Sequence, residues 1–215
     1  MGCVLLHRVS RIEPVAAVAR PQALPEQLVR GRGKAQCGKG TIQIGTLPPI
    51  QACALPDHAL LAKYRRSGAY TDCYAARIGR PVSQAEFVEA FYTGAVFKLE
   101  RRLLAWFIAR PSTDAQARGL SRGELGDFAA WRVEARNDDQ LLMCDLGGRT
   151  RSWLMTAPAA AGGTCLYFGS AVVPKVDKAS GQARMGVVFG TLLGFHKLYS
   201  RVLLHEARAR LARRR

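Results

Sequence analysis

From Tyr70 to Ile78 the side chains alternate, with Tyr70, Asp72, Tyr74 and Ala76 on one face and Thr71, Cys73, Ala75 and Arg77 on the other. That period of two predicts a strand. Pro81 and Ser83 follow, and Ser83 with Glu86 forms a capping box ahead of Phe87, Val88, Phe91 and Tyr92, so a helix is predicted to start there. Beyond Gly94 a second helical period runs through Val96, Leu99, Leu103 and Phe107, with Leu104 and Ile108 beside it, and ends at Pro111. The stretch from Ser112 to Gly126 is polar and Gly-containing and reads as a connection.

Alternation returns at Phe128 to Arg136, where Trp131, Val133 and Ala135 oppose Arg132, Glu134 and Arg136. Asn137, Asp138 and Asp139 then make a turn into an antiparallel partner at Gln140 to Leu146. Gly147 and Gly148 turn the chain into Arg149 to Thr156, with Arg151, Trp153 and Met155 alternating against Ser152 and Leu154. Thr164 to Val173 is a long apolar run suited to a central strand, which completes a meander of five clear strands. After a polar connection at Lys175 to Arg184, Val187 to about Leu211 carries the longest helical pattern: Val188, Leu192, Phe195, Tyr199 and Val202, flanked by Leu198, Leu203 and Leu211. A helix of that length spans about 37 Å. Gly186, Gly190 and Gly194 recur on it at every fourth position, which costs roughly 1 kcal/mol each relative to Ala and points to a close approach or to room for a ligand.

Composition changes this picture little. Of 215 residues, 48% are apolar and 22% charged, which excludes a disordered chain, a collagen or a disulfide-dense miniprotein and leaves one core plus something extra. That extra is residues 1–45, rich in Gly and Pro further on and without periodicity, an expected mobile or irregular lead-in to a domain over 46–215. His7, Arg8, Arg11 and Glu13 interrupt any signal-peptide core. Gly33, Gly38 and Lys39 imitate a phosphate-binding loop, but Gly40 stands where the magnesium-binding hydroxyl belongs and no apolar strand precedes.

The net charge of +16 is concentrated at the two ends: +5 over residues 1–45 and +6 over 196–215. Such a surplus attracts polyanions. Arg208, Arg210, Arg213, Arg214 and Arg215 would carry a nucleic-acid or acidic-partner interaction, with base-composition bias as the plainer explanation. The terminal helix is too polar for a membrane span, being interrupted by His196, Lys197 and Arg201. Six cysteines at 3, 37, 53, 73, 144 and 165 form no CxxC pair and signal neither a zinc site nor a disulfide framework, which fits a reducing cytoplasm.

A strand, two helices, an antiparallel meander and a long last helix make an α+β order in which the final helix covers one face of the sheet. This order resembles the helix-grip, or START-like (SRPBCC), architecture. More narrowly, the chain from about Tyr70 to Ala207 is similar to the uncharacterised bacterial family DUF2867. The similarity is carried by Tyr70-Thr71-Asp72-Cys73-Tyr74-Ala75, by Trp131 to Asp139, and by Gly194-Phe195-His196-Lys197-Leu198. The resemblance implies a cavity for a lipid-like or aromatic ligand between sheet and helix; the family lends no activity.

Candidate ligand-lining residues are Tyr70, Asp72, Tyr74, Trp131, Trp153, His196 and Tyr199. Asp72, flanked by aromatics, would have its pKa raised by burial and could anchor a ligand or move a proton; an edge-strand Asp facing water is the alternative. His196 would serve as acid, base or donor at the cavity mouth, or as a structural histidine. Trp131 and Trp153 offer apolar area with an N–H, or simply core. Arg132 and Arg151 would meet an anionic ligand or water. No nucleophile–base order, metal cluster or dinucleotide turn survives its context, and no cofactor is expected. Three readings stay open: a binding domain for a small hydrophobic ligand, a cyclase or dehydratase using Asp72 and His196, and a basic nucleic-acid or acidic-partner module.

Overall fold

The structure is a computed structural model that describes residues 49–99, 101, 111–159, 162–173, 175–176, 183–184 and 188–214. The predicted lead-in at 1–45, the phosphate-loop look-alike and Gly186 lie outside them.

The fold is α+β and of the helix-grip kind. In chain order it comprises β1 (Gln51–Ala52), α1 (Ala62–Arg66), β2 (Tyr70–Ile78), α2 (Gln84–Tyr92), α3 (Asp114–Arg122), β3 (Asp127–Phe128), β4 (Trp131–Arg136), β5 (Gln140–Asp145), β6 (Thr150–Pro158), β7 (Thr164–Val172), β8 (Lys175–Val176), β9 (Ala183–Arg184) and α4 (Val188–Arg213). Seven strands form one antiparallel sheet in the order β1-β2-β7-β6-β5-β4-β3, while β8 and β9 pair separately. The five predicted strands are all present, and two short strands extend the sheet at its two edges.

Local chemistry explains the helices between strands. Ser83 and Glu86 form the expected reciprocal capping box at the start of α2. Residues 95–99 are helical, as the Val96 period predicts, while 102–110 fall outside the described residues. The supposed connection after Ser112 contains α3, capped by Thr113 and Gln116 and stopped by Gly123 at φ 83°. Only a residue without Cβ adopts that left-handed stop at little cost.

Both faces of the sheet are covered. On the helix face, Tyr74, Ala76, Ile78, Leu141, Met143, Leu154, Leu166 and Phe168 pack against α2, α3 and α4. Here Phe91 packs against Phe168 with tilted rings and centroids 4.9 Å apart, and Tyr92 meets Phe97 at 4.8 Å and Phe128 at 5.4 Å. On the outer face, Cys73, Ala75, Leu142, Trp153, Met155, Cys165 and Tyr167 are roofed by Leu55, Ala59, Leu61 and Ala62. Gln140 holds this roof down. Its Oε1 accepts the Leu60 N–H at 2.8 Å and the Trp153 indole N–H at 2.9 Å, and its Nε2 donates to the His58 carbonyl at 3.3 Å.

The registration along β4 differs from simple alternation. A bulge between Val133 and Ala135 turns Ala135 to the outer face, opposite Leu142, while Trp131 and Val133 stay on the helix face. The terminal helix also departs from its predicted stripe. Leu198 (62% exposed) and Val202 (40%) face solvent, and among the side chains described on this helix the buried ones are Ser200, Leu203, Leu204, Ala207, Arg208 and Leu211. The helix is rotated towards residues that a hydrophobicity count passes over, Ser200 and Arg208.

The helix α4 lies over β2 and β7 and beside α2. Arg201 sits over the Tyr74 ring at 5.4 Å, and Arg80, just past β2, donates to the Leu211 carbonyl at 3.1 Å. These two anchors set α4 running alongside β2 in the same direction. The basic end of the helix is largely engaged: Arg210 donates to Thr93 Oγ1 at 3.0 Å, Arg214 pairs with Glu89 at 3.0 Å, and Arg208 is buried.

Candidate ligand site at the polar end of the sheet

Strand alternation and register sort the helix face into rows. Tyr74 stands opposite Phe168, and Phe168 opposite Leu154, an apolar row in the core. One row towards the start of β2, Asp72 stands opposite Ser170 and Ser170 opposite Ser152. At the edge, Tyr70 stands opposite Val172 and Val172 opposite Thr150, while Trp131 faces Asp145 on the far side. The interior therefore changes from aromatic and aliphatic to hydroxyl and carboxylate within two residues along each strand.

Burying such groups is costly unless they are hydrogen-bonded. The Asp72 carboxylate accepts the Ser170 hydroxyl at 2.6 Å and the Ser170 backbone N–H at 3.1 Å. Tyr92, the last residue of α2, brings its hydroxyl to 3.5 Å from Ser152 Oγ. Among the described residues, the hydroxyl of Ser200, wholly buried on α4, and the buried Nε1 of Trp131 find no such match.

Electrostatics keep the tyrosines neutral. Burial, with the negative charge of Asp72 second, pushes the Tyr70 phenol up to about 12. Burial and then Asp72 also raise Tyr74, against the opposing pull of Arg201. Both hydroxyls are thus hydrogen-bonding groups throughout the ordinary pH range, not bases.

Of the residues singled out from sequence, Tyr70, Asp72, Tyr74 and Trp131 share the helix face, and Tyr199 is partly buried against the same core. Trp153 does not join them. It lies on the outer face, its ring wholly buried under the roof and its N–H held by Gln140, because strand parity places it opposite Leu154 in facing direction. The His196 side chain lies outside the described residues. Arg151 also belongs to the outer face, where its Nε reaches Glu134 at 2.5 Å and the Tyr64 hydroxyl at 2.7 Å, with its guanidinium 4.6 Å from the Tyr64 ring. Arg132 is exposed and pairs with Asp127 at 2.9 Å.

Sequence reasoning missed Ser152, Ser170 and Ser200. Their signal was a small hydroxyl side chain inside an otherwise apolar strand or helix run. Among the described residues no cluster of His, Cys, Asp and Glu is placed to hold a metal ion, and no helix is long and apolar enough to cross a membrane.

No protein-family model matches the chain, and no curated protein matches it. Among solved structures, the crystal structure of CalU16 from Micromonospora echinospora is similar over 66% of this chain and 85% of its own, at 15% identity and a TM-score of 0.26.

Proposed function

We propose that this protein binds a small, largely hydrophobic or aromatic molecule at the polar end of its helix face, between the sheet and α4. The observation that supports the reading is the pair of buried, unmatched polar atoms, Trp131 Nε1 and Ser200 Oγ, on the side where Asp72, Ser170 and Ser152 interrupt the apolar lining. An indole N–H donates only, so the ligand carries an acceptor such as a carbonyl, hydroxyl or ether oxygen. An unmatched buried polar atom costs about 1–3 kcal/mol, and a ligand that supplies the missing bond recovers it. The resemblance to DUF2867 is part of this proposal and rests on the three segments quoted for it. A cytoplasmic setting is likewise proposed, in keeping with the free thiols at Cys53, Cys73, Cys144 and Cys165.

No described geometry favours the cyclase or dehydratase reading, since Asp72 is engaged by Ser170 and the His196 side chain is not described. The test is a fluorescence titration of the full chain with 8-anilinonaphthalene-1-sulfonate. Saturable one-to-one binding is expected, weakened about tenfold in Trp131→Phe, which retains a smaller aromatic ring and removes the donor. Absence of saturable binding, or equal affinity in the variant, refutes the reading.

A further inference from the structure

The outer face carries a second chemical feature, independent of the ligand site. Cys53 follows β1 directly, and its backbone N–H donates to the Cys73 carbonyl at 3.0 Å, extending the β1–β2 ladder by one pair. The two side chains fall on the same side, and their sulfurs lie 3.4 Å apart. Directly opposed residues on antiparallel strands have Cα atoms about 4.5–5.5 Å apart, inside the range a disulfide spans. Cys53 is partly exposed and Cys73 is buried, so a reagent in solvent meets one thiol first with the other already beside it. The Cys73 thiol holds Cys53 below its ordinary pKa, with burial working against that, while Cys73 itself is raised by its bond to Cys53 and by burial. The partly exposed Cys53 sulfur is therefore the one placed to ionise first and attack.

We propose that Cys53 and Cys73 form a two-thiol oxidation site that a peroxide converts into a disulfide clamping the roof over residues 53–66 to the outer face of the sheet. The Cys53 thiolate attacks one peroxide oxygen, giving a sulfenic acid and, with a proton, one water. Cys73 then attacks the Cys53 sulfur, the S–S bond forms, and the sulfenic oxygen leaves as a second water. Two thiols are oxidised by two electrons and hydrogen peroxide is reduced by two.

The clamp would secure a segment otherwise held by Gln140 and by the packing of Leu55, Leu61 and Ala62. It closes a loop over a sequence separation of 20 residues. Loop closure of this length raises the midpoint of thermal unfolding by about 5–10 °C in a domain of this size.

The experiment treats the full chain with equimolar hydrogen peroxide, alkylates the remaining thiols and maps tryptic peptides. A mass loss of about 2 Da is expected, with peptide 40–63, which contains Cys53, joined to peptide 67–77, which contains Cys73. Dithiothreitol should reverse both the link and the thermal shift. Cys53→Ser, a change at a partly exposed position, should fold and lose both. A link from either residue to another cysteine, a link between chains, over-oxidation of Cys53 without a link, or the same mass loss in Cys53→Ser would overturn the proposal.

Discussion

The Glu206 carboxylate, on the terminal helix, accepts the Val96 backbone N–H at 3.0 Å and also the N–H of Ala95. It thereby caps the helical segment at 95–99 from another element, giving a negative charge to unpaired amides at a helix start. Gly94 leaves room for this contact, since a Cβ there would lie 2.7 Å from Glu206 Oε2 and the carboxylate would have to shift. Glu206→Ala should cost about 1 kcal/mol. Gly94→Ala should cost a similar amount by displacing the carboxylate, and the double variant should be little worse than either alone. Chemical denaturation of the three variants checks this; full additivity would show that the two positions act separately.

Gln140 is the polar fastener of the outer roof. Gln140→Leu leaves the buried Trp153 N–H and the Leu60 N–H without acceptors, and a loss of about 2–4 kcal/mol is expected. Hydrogen exchange at the Leu60 amide should accelerate with it. An unchanged exchange rate at that amide would mean the roof is held by apolar packing alone.

The outer-face cluster supplies a pH dependence. Burial pushes the Glu134 carboxyl up, but the hydrogen bonds from Lys63 and Tyr64 and the charge of Arg151 outweigh it, leaving Glu134 below its ordinary 4.5. A carboxyl lowered in the folded state stabilises fully above its unfolded pKa and loses that contribution as pH falls through the folded one. Thermal midpoints measured from pH 7 down to about 3 should therefore fall below about pH 4.5, and Glu134→Gln should fall less over that interval. Parallel curves for the two proteins would exclude Glu134 as a contributor.

Much of this fold was legible locally. The strands at Tyr70, Trp131 and Thr150 show period-two alternation, the one at Thr164 is a continuous apolar run, and Ser83 with Glu86 marks the start of α2 in the sequence itself. The helix α3 was also signalled, by Thr113 with Gln116 and by Gly123, but its polar residues disguised it as a loop. Three features needed tertiary information. Alternation says that Trp153 and Leu154 point to opposite sides, but not which side the helices cover. The bulge that turns Ala135 over is visible only in the pairing with β5. The roof over residues 55–62 carries no long apolar period, and it was foreshadowed only by the apolar character of the opposite strand parity at Cys73, Trp153 and Tyr167. At the candidate site the aromatic and acidic residues stood out in the sequence, whereas Ser152, Ser170 and Ser200 did not, because a serine acquires meaning only once its neighbours are known to be buried.

The ligand proposal is tested most directly by native mass spectrometry of the full chain as purified from the cells that produce it. The expected spectrum contains a population heavier than the bare chain by a small molecule that is released on denaturation, and that population shrinks in Trp131→Phe but not in Cys53→Ser. A spectrum with the bare mass alone, or an equal ligand-bound fraction in Trp131→Phe, would contradict a site built around Trp131 and Ser200.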